Sequence, residues 1–334
     1  KASPQAEEEI LSQPLRIRFI GAGEISQLHF KAIRNGDFAH LAGFWTIDPA
    51  QAALRENEFS CRAYASAEEL VSDPQIDAVF VLTNLETHLK YTKMALEAGK
   101  HVLVEKPVAA TVADIEEMKA LAERKGLLCV PGHNMIHEDS IRRARGLIQN
   151  GDLGKIVSCY VLYNIQHSEE RAATLPGTVR HILTHNVYTM LYLAGQPRRV
   201  SAMKSIRHYE KLEKEDLAMA LVELESGGIA HLCASFAADD YSADPWTFLI
   251  KVIGTAGTVR YTYQDWVEIK KGFSHSHTYT AYQATINNED EYFARLVREG
   301  GQPLSSMEDA VTAQKVIEAC ERSIAEGVTV SLDF

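Results

Sequence analysis

The sequence predicts an α/β protein of two domains: a doubly wound parallel sheet, then an α+β domain with a large, mostly antiparallel open sheet. Up to about residue 130, short apolar runs alternate with helical patterns, which is the order that parallel strands and their crossovers need. These runs are apolar throughout, as in strands covered on both faces. After about Gly132, strands follow one another across turns, which favours antiparallel pairing.

The first domain, residues 15–132, is predicted from five strands and five helices. The strands are Leu15–Ile20, Leu41–Ile47, Ala78–Leu82, His101–Val104 and Leu127–Val130. The helices are Ser26–Asn35, Pro49–Asn57, Ala67–Ser72, His88–Ala98 and Thr111–Lys125. Asp48-Pro49 marks the start of the second helix, and Gly99 and Gly126 mark the ends of the last two. Residues 1–14 form a separate polar tail.

The second domain, residues 133–334, is predicted mainly from strands. They are Ile156–Ile165, Val200–Ile206, Leu217–Leu224, Ile229–Phe236, Phe248–Ile253, Val259–Tyr263 and Val328–Leu332. Ser226-Gly227-Gly228 is a hairpin-type connection. The predicted helices are Ser140–Asn150, Leu183–Ala194, Asn287–Glu299 and Met307–Glu326. We expect the last helix to pack back on the first domain.

Composition and charge exclude several classes of protein. Apolar residues make up 46% and charged residues 24%, as in ordinary globular chains. Lys plus Arg is 34 and Asp plus Glu is 45, so the formal charge is 34 − 45 = −11. Binding to nucleic acid or to an anionic membrane surface needs positive charge, so we expect neither as a partner.

The cysteines and the first residues indicate a cytoplasmic protein. Five cysteines lie far apart without a C-x-x-C pair, which favours reduced thiols over a disulfide framework. Residues 1–14 are polar and acidic and lack the basic-then-apolar pattern of a signal peptide.

A glycine-rich segment follows the first predicted strand and opens the first helix. From Gly21 to Ser26 it has the pattern G-x-G-x-x-S, a near match to the dinucleotide-binding fingerprint. The first glycine permits a tight turn, and the second lets backbone approach a pyrophosphate at the helix N-terminus. Ser26 replaces the third glycine, whose packing role another small residue can fill. Gly21, Gly23, Glu24 and Ile25 are the candidate cofactor contacts.

Asp48, at the end of the second predicted strand, is the candidate partner of the ribose hydroxyls. A carboxylate there repels a 2′-phosphate, and no Arg follows directly, so NAD is favoured over NADP. The alternative is that Asp48 only caps the helix that starts at Pro49.

Glu105-Lys106-Pro107 stands at the end of the fourth predicted strand of the parallel sheet. Ligands of open parallel sheets bind beyond the carboxyl ends of the strands. Pro107 restrains Lys106 to an extended backbone, which helps to aim the lysine side chain. The position favours a functional Lys106.

These segments together resemble one family. The loop 21–26, residues 77–88 and residues 99–107 fall in the same order as in the Gfo/Idh/MocA oxidoreductases, and the likeness continues through Gly151–Ile156 to Ser323. The resemblance implies a Rossmann domain and a C-terminal substrate domain whose open sheet joins subunits into a homodimer or homotetramer. It also implies NAD(P) as cofactor and a sugar, sugar acid or cyclitol as substrate.

The family's functional residues carry over by position. The Lys of Glu-Lys-Pro polarises the reacting oxygen, which implies that role for Lys106 beside Glu105. A second signature, Asp-x-Gly-x-His, supplies the acid/base histidine, and its counterpart here is His185. The signature's Asp is replaced by His181, which is expected to position the substrate or to tune His185. Four residues separate the two histidines, so a helix places them on one face and each discourages protonation of the other.

Other positions border the expected cofactor and substrate. Thr83, Asn84 and His88 match the segment beside the nicotinamide ribose, although Asn84-Leu85 stands where the family often has Pro-Asn. His133 and Asn134 are expected to line the cleft. Arg180 is a candidate for two-point binding of a substrate carboxylate, its alternative being an ordinary ion pair.

Two alternatives to a simple dehydrogenase remain open, as does a metal. Loss of the signature Asp leaves room for an isomerase or lyase that recycles tightly bound NAD. A non-catalytic sensor of NAD or sugar is the other alternative, against which Lys106 and His185 argue. His133, His137, His181 and His185 are enough imidazoles for a divalent ion, but they match no known zinc pattern, so no metal is expected.

Overall fold

The chain divides into two compact units. The computed structural model describes residues 14–236, 246–262, 268–270, 273–275 and 278–332. The first unit contains the described residues up to Asn134 together with Gln283–Ala310. The second contains the described residues of Met135–Tyr282 and those from Val311 onward. The predicted tail lies almost wholly outside the described residues, and the predicted boundary after residue 132 stays a prediction.

The first unit is built on a five-stranded sheet in which every pairing is parallel. Its strands are β1 (Leu15–Ile20), β2 (Ala39–Trp45), β3 (Ala78–Val81), β4 (His101–Glu105) and β5 (Cys129–Gly132). Their spatial order is β2-β1-β3-β4-β5. The chain leaves β1 toward one side and later continues on the other, so the strand order reverses at β1. Ligands of such sheets bind at this reversal, beyond the carboxyl ends of the strands.

Helices cross between these strands: α1 (Glu24–Asn35), α2 (Pro49–Phe59), α3 (Ala67–Ser72), α4 (His88–Glu97) and α5 (Val112–Lys125). Leu85–Thr87 and Asn134–His137 are short 3-10 turns. Side-chain caps begin three of the helices, because Asp48, Ser66 and Thr111 accept backbone N–H groups of the first turns. Gly126, in the left-handed conformation at φ +65°, ends α5.

The core of the first unit is rich in aromatic rings. Ile17, Phe19 and Phe80 are fully buried on β1 and β3. Phe293 and Leu296 join this core from α10 (Thr278–Glu299), a helix from near the end of the chain. The last helix, α11 (Met307–Glu326), falls within the second unit from Val311 on.

The second unit holds a seven-stranded sheet. Its strands are β6 (Ile156–Ile165), β7 (Pro197–Ser205), β8 (Leu217–Leu224), β9 (Ile229–Ser235), β10 (Trp246–Gly254), β11 (Thr258–Thr262) and β14 (Val330–Ser331). Their spatial order is β11-β10-β6-β9-β8-β7-β14. Its pairings are antiparallel except that of β6 with β9. β12 (Glu268–Lys270) and β13 (Phe273–His275) form a separate hairpin. The remaining helices are α6 (Asp139–Gln149), α7 (Glu169–Ala173), α8 (Thr178–His181) and α9 (Leu183–Ala194).

The two faces of this sheet differ. α9 packs against β6 and β9 on one face, where alternate side chains such as Val161 and Leu232 are fully buried. The opposite face carries apolar side chains that solvent reaches: Tyr160, Met203, Met219, Leu221 and Ile229. Cross-strand register places Met203 opposite Met219, and it places His231 between Leu221 and Tyr160. We call the five apolar residues the open apolar face.

The fold class predicted from the sequence is confirmed. The differences between prediction and structure concern the limits of single elements and two short helices. β2 ends at Trp45 rather than at Ile47, whose side chain is 84% exposed. α10 begins at Thr278, nine residues before the predicted Asn287. The sequence does not predict this earlier start because the first residues of the helix are rich in Thr, Tyr and Ile, which have low helix propensity. The short helices α7 and α8 were not predicted.

Two further findings concern the helices' ability to span a membrane and the state of the cysteines. No helix in the described part of the chain has the length and apolar character of a membrane span. All five cysteines are free thiols. Burial raises the pKa of Cys129, Cys159 and Cys320 to about 12, so these thiols are protonated and unreactive at neutral pH.

Phe80 links the first unit's sheet to α10, which predicts a large cost for its removal. Its ring centroid lies 5.7 Å from that of Phe19, 5.4 Å from His29 and 5.3 Å from Phe293. We expect Phe80→Ala to lower the free energy of unfolding by about 3–5 kcal/mol, measured by urea denaturation. Leu54→Ala, at a side chain 59% exposed on α2, is the control and should change it by less than about 0.5 kcal/mol. Equal effects would contradict this account of the core.

Candidate active site

The glycine-rich loop leaves β1 at the point where the strand order reverses. Gly21 has φ +106°, and a Cβ there would lie 2.5 Å from the backbone oxygen of Leu82. Its N–H donates to the carbonyl of Trp45 at 2.8 Å. Only glycine satisfies both the backbone conformation and the contact, so the predicted tight turn has a physical cause.

The N-terminus of α1 fits a pyrophosphate. Gly23 is the N-cap residue, and as a glycine it has no side chain to occupy this end of the helix. A Cβ at Gly23 would meet no atom within 4 Å, so the backbone is open to a close ligand. Glu24 and Ile25 supply the first helical N–H groups. Ser26, buried at the third glycine position, donates its hydroxyl to Gly23 O at 2.6 Å and holds the loop against the helix.

Asp48 follows β2 on an exposed turn and caps α2. Its Oδ1 accepts the N–H of Ala50 at 2.9 Å, so the cap that sequence reasoning named as the alternative is present. The cap uses one carboxylate oxygen and keeps the charge at this edge of the sheet. Its role toward a ribose stays a prediction.

His88 joins the loops that follow β3 and β4. The ring is buried, with Nδ1 2.9 Å from the carbonyl oxygen of Pro107 and Nε2 2.9 Å from that of Thr83. Burial lowers the pKa of His88, although both carbonyls favour the protonated ring. Because both ring nitrogens face backbone carbonyls, these contacts favour a role in shaping the loops of Thr83 and Asn84.

Lys106 directly follows β4, at the same carboxyl edge of the sheet as the glycine-rich loop. Its backbone N–H donates to Glu105 Oε2 at 2.8 Å, and the bond to Pro107 is cis. The Glu105 side chain is buried, whereas Lys106 is half-buried. A buried carboxylate therefore holds the backbone from which the lysine side chain extends.

A buried charged cluster that sequence reasoning missed adjoins Glu105. Nδ1 of His29 lies 2.8 Å from Asp290 Oδ1, and Nε2 lies 3.4 Å from Glu105 Oε1. Among the described residues, His29, Glu289 and Asp290 are the one group of His, Cys or acidic residues close enough to share an ion. The available signal was His29 itself, which shares the apolar face of α1 with Phe30 and Ile33.

His133 and Asn134 are buried within the first unit. His133 Nδ1 lies 2.7 Å from Ser305 Oγ, and the Asn134 amide donates to Thr285 Oγ1 at 2.7 Å. Both side chains thus contact the returning segment that contains α10. Their predicted contacts with substrate and cofactor stay predictions.

In the second unit, His185 lies in the first turn of α9 and is buried. Its Nδ1 is 2.6 Å from Tyr188 Oη, which also accepts the N–H of Met135 at 3.3 Å. The ring of Tyr163 lies 5.2 Å from the imidazole. A ring whose Nδ1–H donates to Tyr188 has Nε2 as its basic nitrogen, which is the state that a general base needs.

The continuous helix assumed for His181 and His185 is wrong. His181 ends α8, Ile182 interrupts the helix, and His185 N donates to Ile182 O at 2.9 Å, the tighter three-residue pattern. The His181 ring lies 6.2 Å from His167 and 5.9 Å from Phe236. The two imidazoles therefore contact different neighbours.

Arg180 pairs with Glu321 of α11. Its Nε and Nη2 donate to the two carboxylate oxygens at 2.5 and 2.8 Å. This is the two-point geometry that sequence reasoning had offered for a substrate carboxylate. Pairing with Glu321 raises the pKa of Arg180 and favours the alternative, an ion pair inside the second unit.

Two family models match successive parts of the chain. Residues 15–133 match the domain described as an oxidoreductase family with an NAD-binding Rossmann fold. Residues 141–260 match the GFO/IDH/MocA C-terminal domain. Two domains of one family thus follow each other in this chain.

Two similar proteins have names that identify them as sugar-acting enzymes. The 1,5-anhydro-D-fructose reductase of Ensifer adhaerens is 32% identical over 183 residues, which is 52% of this chain and 55% of that one. The chain thus spans about half the length of this relative. D-apiose dehydrogenase of Paraburkholderia graminis is 25% identical over 334 residues, covering 94% and 88%.

A solved structure supports the fold. Scyllo-inositol dehydrogenase from Lactobacillus casei, with bound NAD(H) and scyllo-inositol, aligns with a TM-score of 0.84 over 95% of this chain and 99% of that one. Sequence identity is 20%, so this likeness establishes the architecture alone. With both family domains matched in order, the chain belongs to the Gfo/Idh/MocA oxidoreductases, and residues 15–133 are its NAD-binding Rossmann domain.

Proposed function

We propose that the protein is an NAD-dependent oxidoreductase that moves a hydride between the nicotinamide and a carbinol or carbonyl carbon of a sugar, sugar acid or cyclitol. The observation that carries the proposal is the tight glycine turn of Gly21 and Gly23 that leads into the N-terminus of α1, at the reversal of strand order. The names of the two sugar-acting relatives, 1,5-anhydro-D-fructose reductase and D-apiose dehydrogenase, support the substrate class.

The cofactor is held by residues of the first unit. The N–H groups of Glu24 and Ile25 bind the pyrophosphate at the positive end of α1. Asp48 accepts hydrogen bonds from the ribose hydroxyls while it caps α2, and its charge selects NAD over NADP. Thr83, Asn84 and Asn134 contact the remaining ribose, and His88 and Glu105 fix the loops that carry them. When bound, NAD supplies the hydride acceptor or donor.

Lys106 stabilises the oxygen that becomes negative as the hydride moves. An ammonium in a half-buried position interacts with a developing alkoxide in a lower dielectric than water, which strengthens the attraction. Glu105 fixes the lysine backbone through the N–H bond and so limits the reach of the side chain.

His185 takes or returns the hydroxyl proton through Nε2, while Tyr188 accepts the Nδ1–H. His181 and His133 are proposed to border the substrate hydroxyls. Arg180 has a weaker claim to the substrate because Glu321 binds its guanidinium.

The open apolar face is proposed to join two copies of the chain. Its five side chains form one patch on the sheet, and a second copy offers the same patch for a symmetric interface. A dimer or tetramer of this kind, working in the cytoplasm, stays a proposal.

The proposed function is tested by titrating the protein with NAD and NADP and then adding aldoses, sugar acids and cyclitols while NADH absorbance is recorded. We expect NADH in proportion to the oxidised product. Substrate consumed without net NADH would instead indicate an isomerase or lyase that recycles its cofactor. NAD binding without turnover of any compound would favour a sensor.

Lys106→Met tests the electrostatic role. We expect kcat to fall by about 10²–10³-fold because the developing charge loses its partner, while the Kd for NAD changes by less than about threefold. Lys90→Met, at an exposed lysine of α4, is the control and should leave both values unchanged. Loss of NAD affinity as large as the loss of kcat would contradict the assignment.

Asp48→Ser tests cofactor choice. Serine keeps a cap for α2 but removes the charge, so we expect the preference for NAD over NADP to fall at least about tenfold, measured as a ratio of Kd values. Ser66→Ala removes the cap of α3 and should leave that ratio unchanged. An unchanged ratio in Asp48→Ser would assign Asp48 to capping alone.

Leu221→Glu tests the open apolar face. Leu221 is 53% exposed, so a buried glutamate would arise only in an assembly. By light scattering we expect a mass of at least twice 37.1 kDa for the unmodified chain and a shift toward 37.1 kDa for this variant. Leu54→Glu makes the same change on α2 and should leave the mass unchanged. A monomeric unmodified chain would sink the proposal.

A further inference from the structure

A buried cluster contains His29, Glu105, Glu289 and Asp290, and of these four only Glu105 has a role in the chemistry proposed above. The relative exposures of its side chains are 0%, 6%, 1% and 0%, in that order. All four belong to the first unit. Charged groups this deeply buried are costly unless they are paired, so the cluster calls for a physical reason.

The contacts form a chain that ends at the backbone of Lys106. Asp290 Oδ1 lies 2.8 Å from His29 Nδ1, and His29 Nε2 lies 3.4 Å from Glu105 Oε1. The other oxygen of Glu105 accepts the N–H of Lys106 at 2.8 Å. The rings of Phe19 and Phe80 approach the imidazole at 6.3 and 5.4 Å and keep water away from it.

The contacts fit an imidazolium between two carboxylates: burial raises the pKa of Asp290, and the adjacent His29 opposes that rise. Burial alone would lower the pKa of His29, but Asp290 and Glu105 outweigh it and raise the pKa to about 10. A ring with both nitrogens protonated donates to both carboxylates and has no lone pair for a metal ion. Burial raises the pKa of Glu289 well above its usual range, so this carboxyl is neutral and adds no charge.

We propose that His29 is a positioning residue for Lys106: its Nε2 side holds the Glu105 carboxylate against the Lys106 N–H, while Asp290 contacts Nδ1. The proposal rests on the proposed function for Lys106 and extends it to a residue distant from it in sequence. A carboxylate with one fixed oxygen would otherwise rotate, and the lysine backbone would lose its anchor.

The test compares two isosteric replacements of the ring. His29→Gln places its amide donor near Nε2 and keeps a contact to Glu105, whereas His29→Asn places it near Nδ1 and keeps only the contact to Asp290. We expect His29→Asn to lower kcat at least about tenfold with little change in the Kd for NAD, and His29→Gln to restore kcat to within about threefold. Thermal denaturation of both variants checks that they are folded.

The matched control is His101→Asn. His101 begins β4, the strand that ends at Glu105, and its ring accepts the backbone N–H of Leu128 at 3.0 Å. This change should leave kcat unchanged. Equal losses of kcat in the Gln and Asn variants of His29, or no loss in either, would overturn the proposal, because a merely structural histidine does not distinguish the two donors.

A readout independent of turnover separates this proposal from the proposed function. The amide signal of Lys106, assigned with ¹⁵N-lysine and its loss in Lys106→Arg, should shift upfield in His29→Asn and much less in His29→Gln. That result supports the chain of contacts even if no substrate is oxidised. An unshifted amide in His29→Asn overturns it.

Metal analysis tests the competing use of the cluster. Any binding of Zn²⁺ or Mn²⁺ that calorimetric titration detects in the unmodified protein should therefore persist in His29→Asn. One equivalent of metal bound by the unmodified protein and lost in that variant would make His29 a ligand and overturn the proposal.

Discussion

Parallel pairing constrains the first unit more than any single contact. Each strand must be followed by a crossover before the chain re-enters the sheet, so the segments that leave the five strands gather at one edge. The order β2-β1-β3-β4-β5 then places β1 between β2 and β3. The glycine-rich loop, Asp48, Thr83 and Lys106 all follow strands of this sheet, and their shared edge is a consequence of topology rather than of contacts among them.

The carboxyl edge of the five-stranded sheet is polar, but the residues that support it are buried. Gly21 packs against the backbone at Leu82, and His88 joins two loops through their backbone carbonyls. Glu105 accepts the backbone N–H of Lys106. Behind Glu105, the imidazole of His29 compensates two carboxylates in a core of aromatic rings. Removing one member of such a group leaves an unpaired charge, so we regard the cluster as support that the edge requires.

Local sequence patterns predict what local forces determine. β1 and α11 are predicted at their observed limits because alternating apolar residues in β1 and a regular helical period in α11 leave no competing structure. The start of α10 escapes prediction because its Thr, Tyr and Ile residues also suit a strand, and the tertiary core decides. His29 and Asp290 stand 261 residues apart, and Arg180 and Glu321 141 apart, so neither pair leaves a local pattern. The assumed single helix through His181 and His185 failed because spacing does not reveal the break at Ile182.

The central claim is that the edge beyond β1 and β3 binds the dinucleotide with its pyrophosphate on the N-terminus of α1. A crystal structure of the protein soaked with NAD tests this most directly. The account predicts pyrophosphate oxygens within hydrogen-bond distance of the Glu24 and Ile25 N–H groups. A pyrophosphate bound elsewhere, or no NAD density at concentrations that saturate binding in solution, would contradict it.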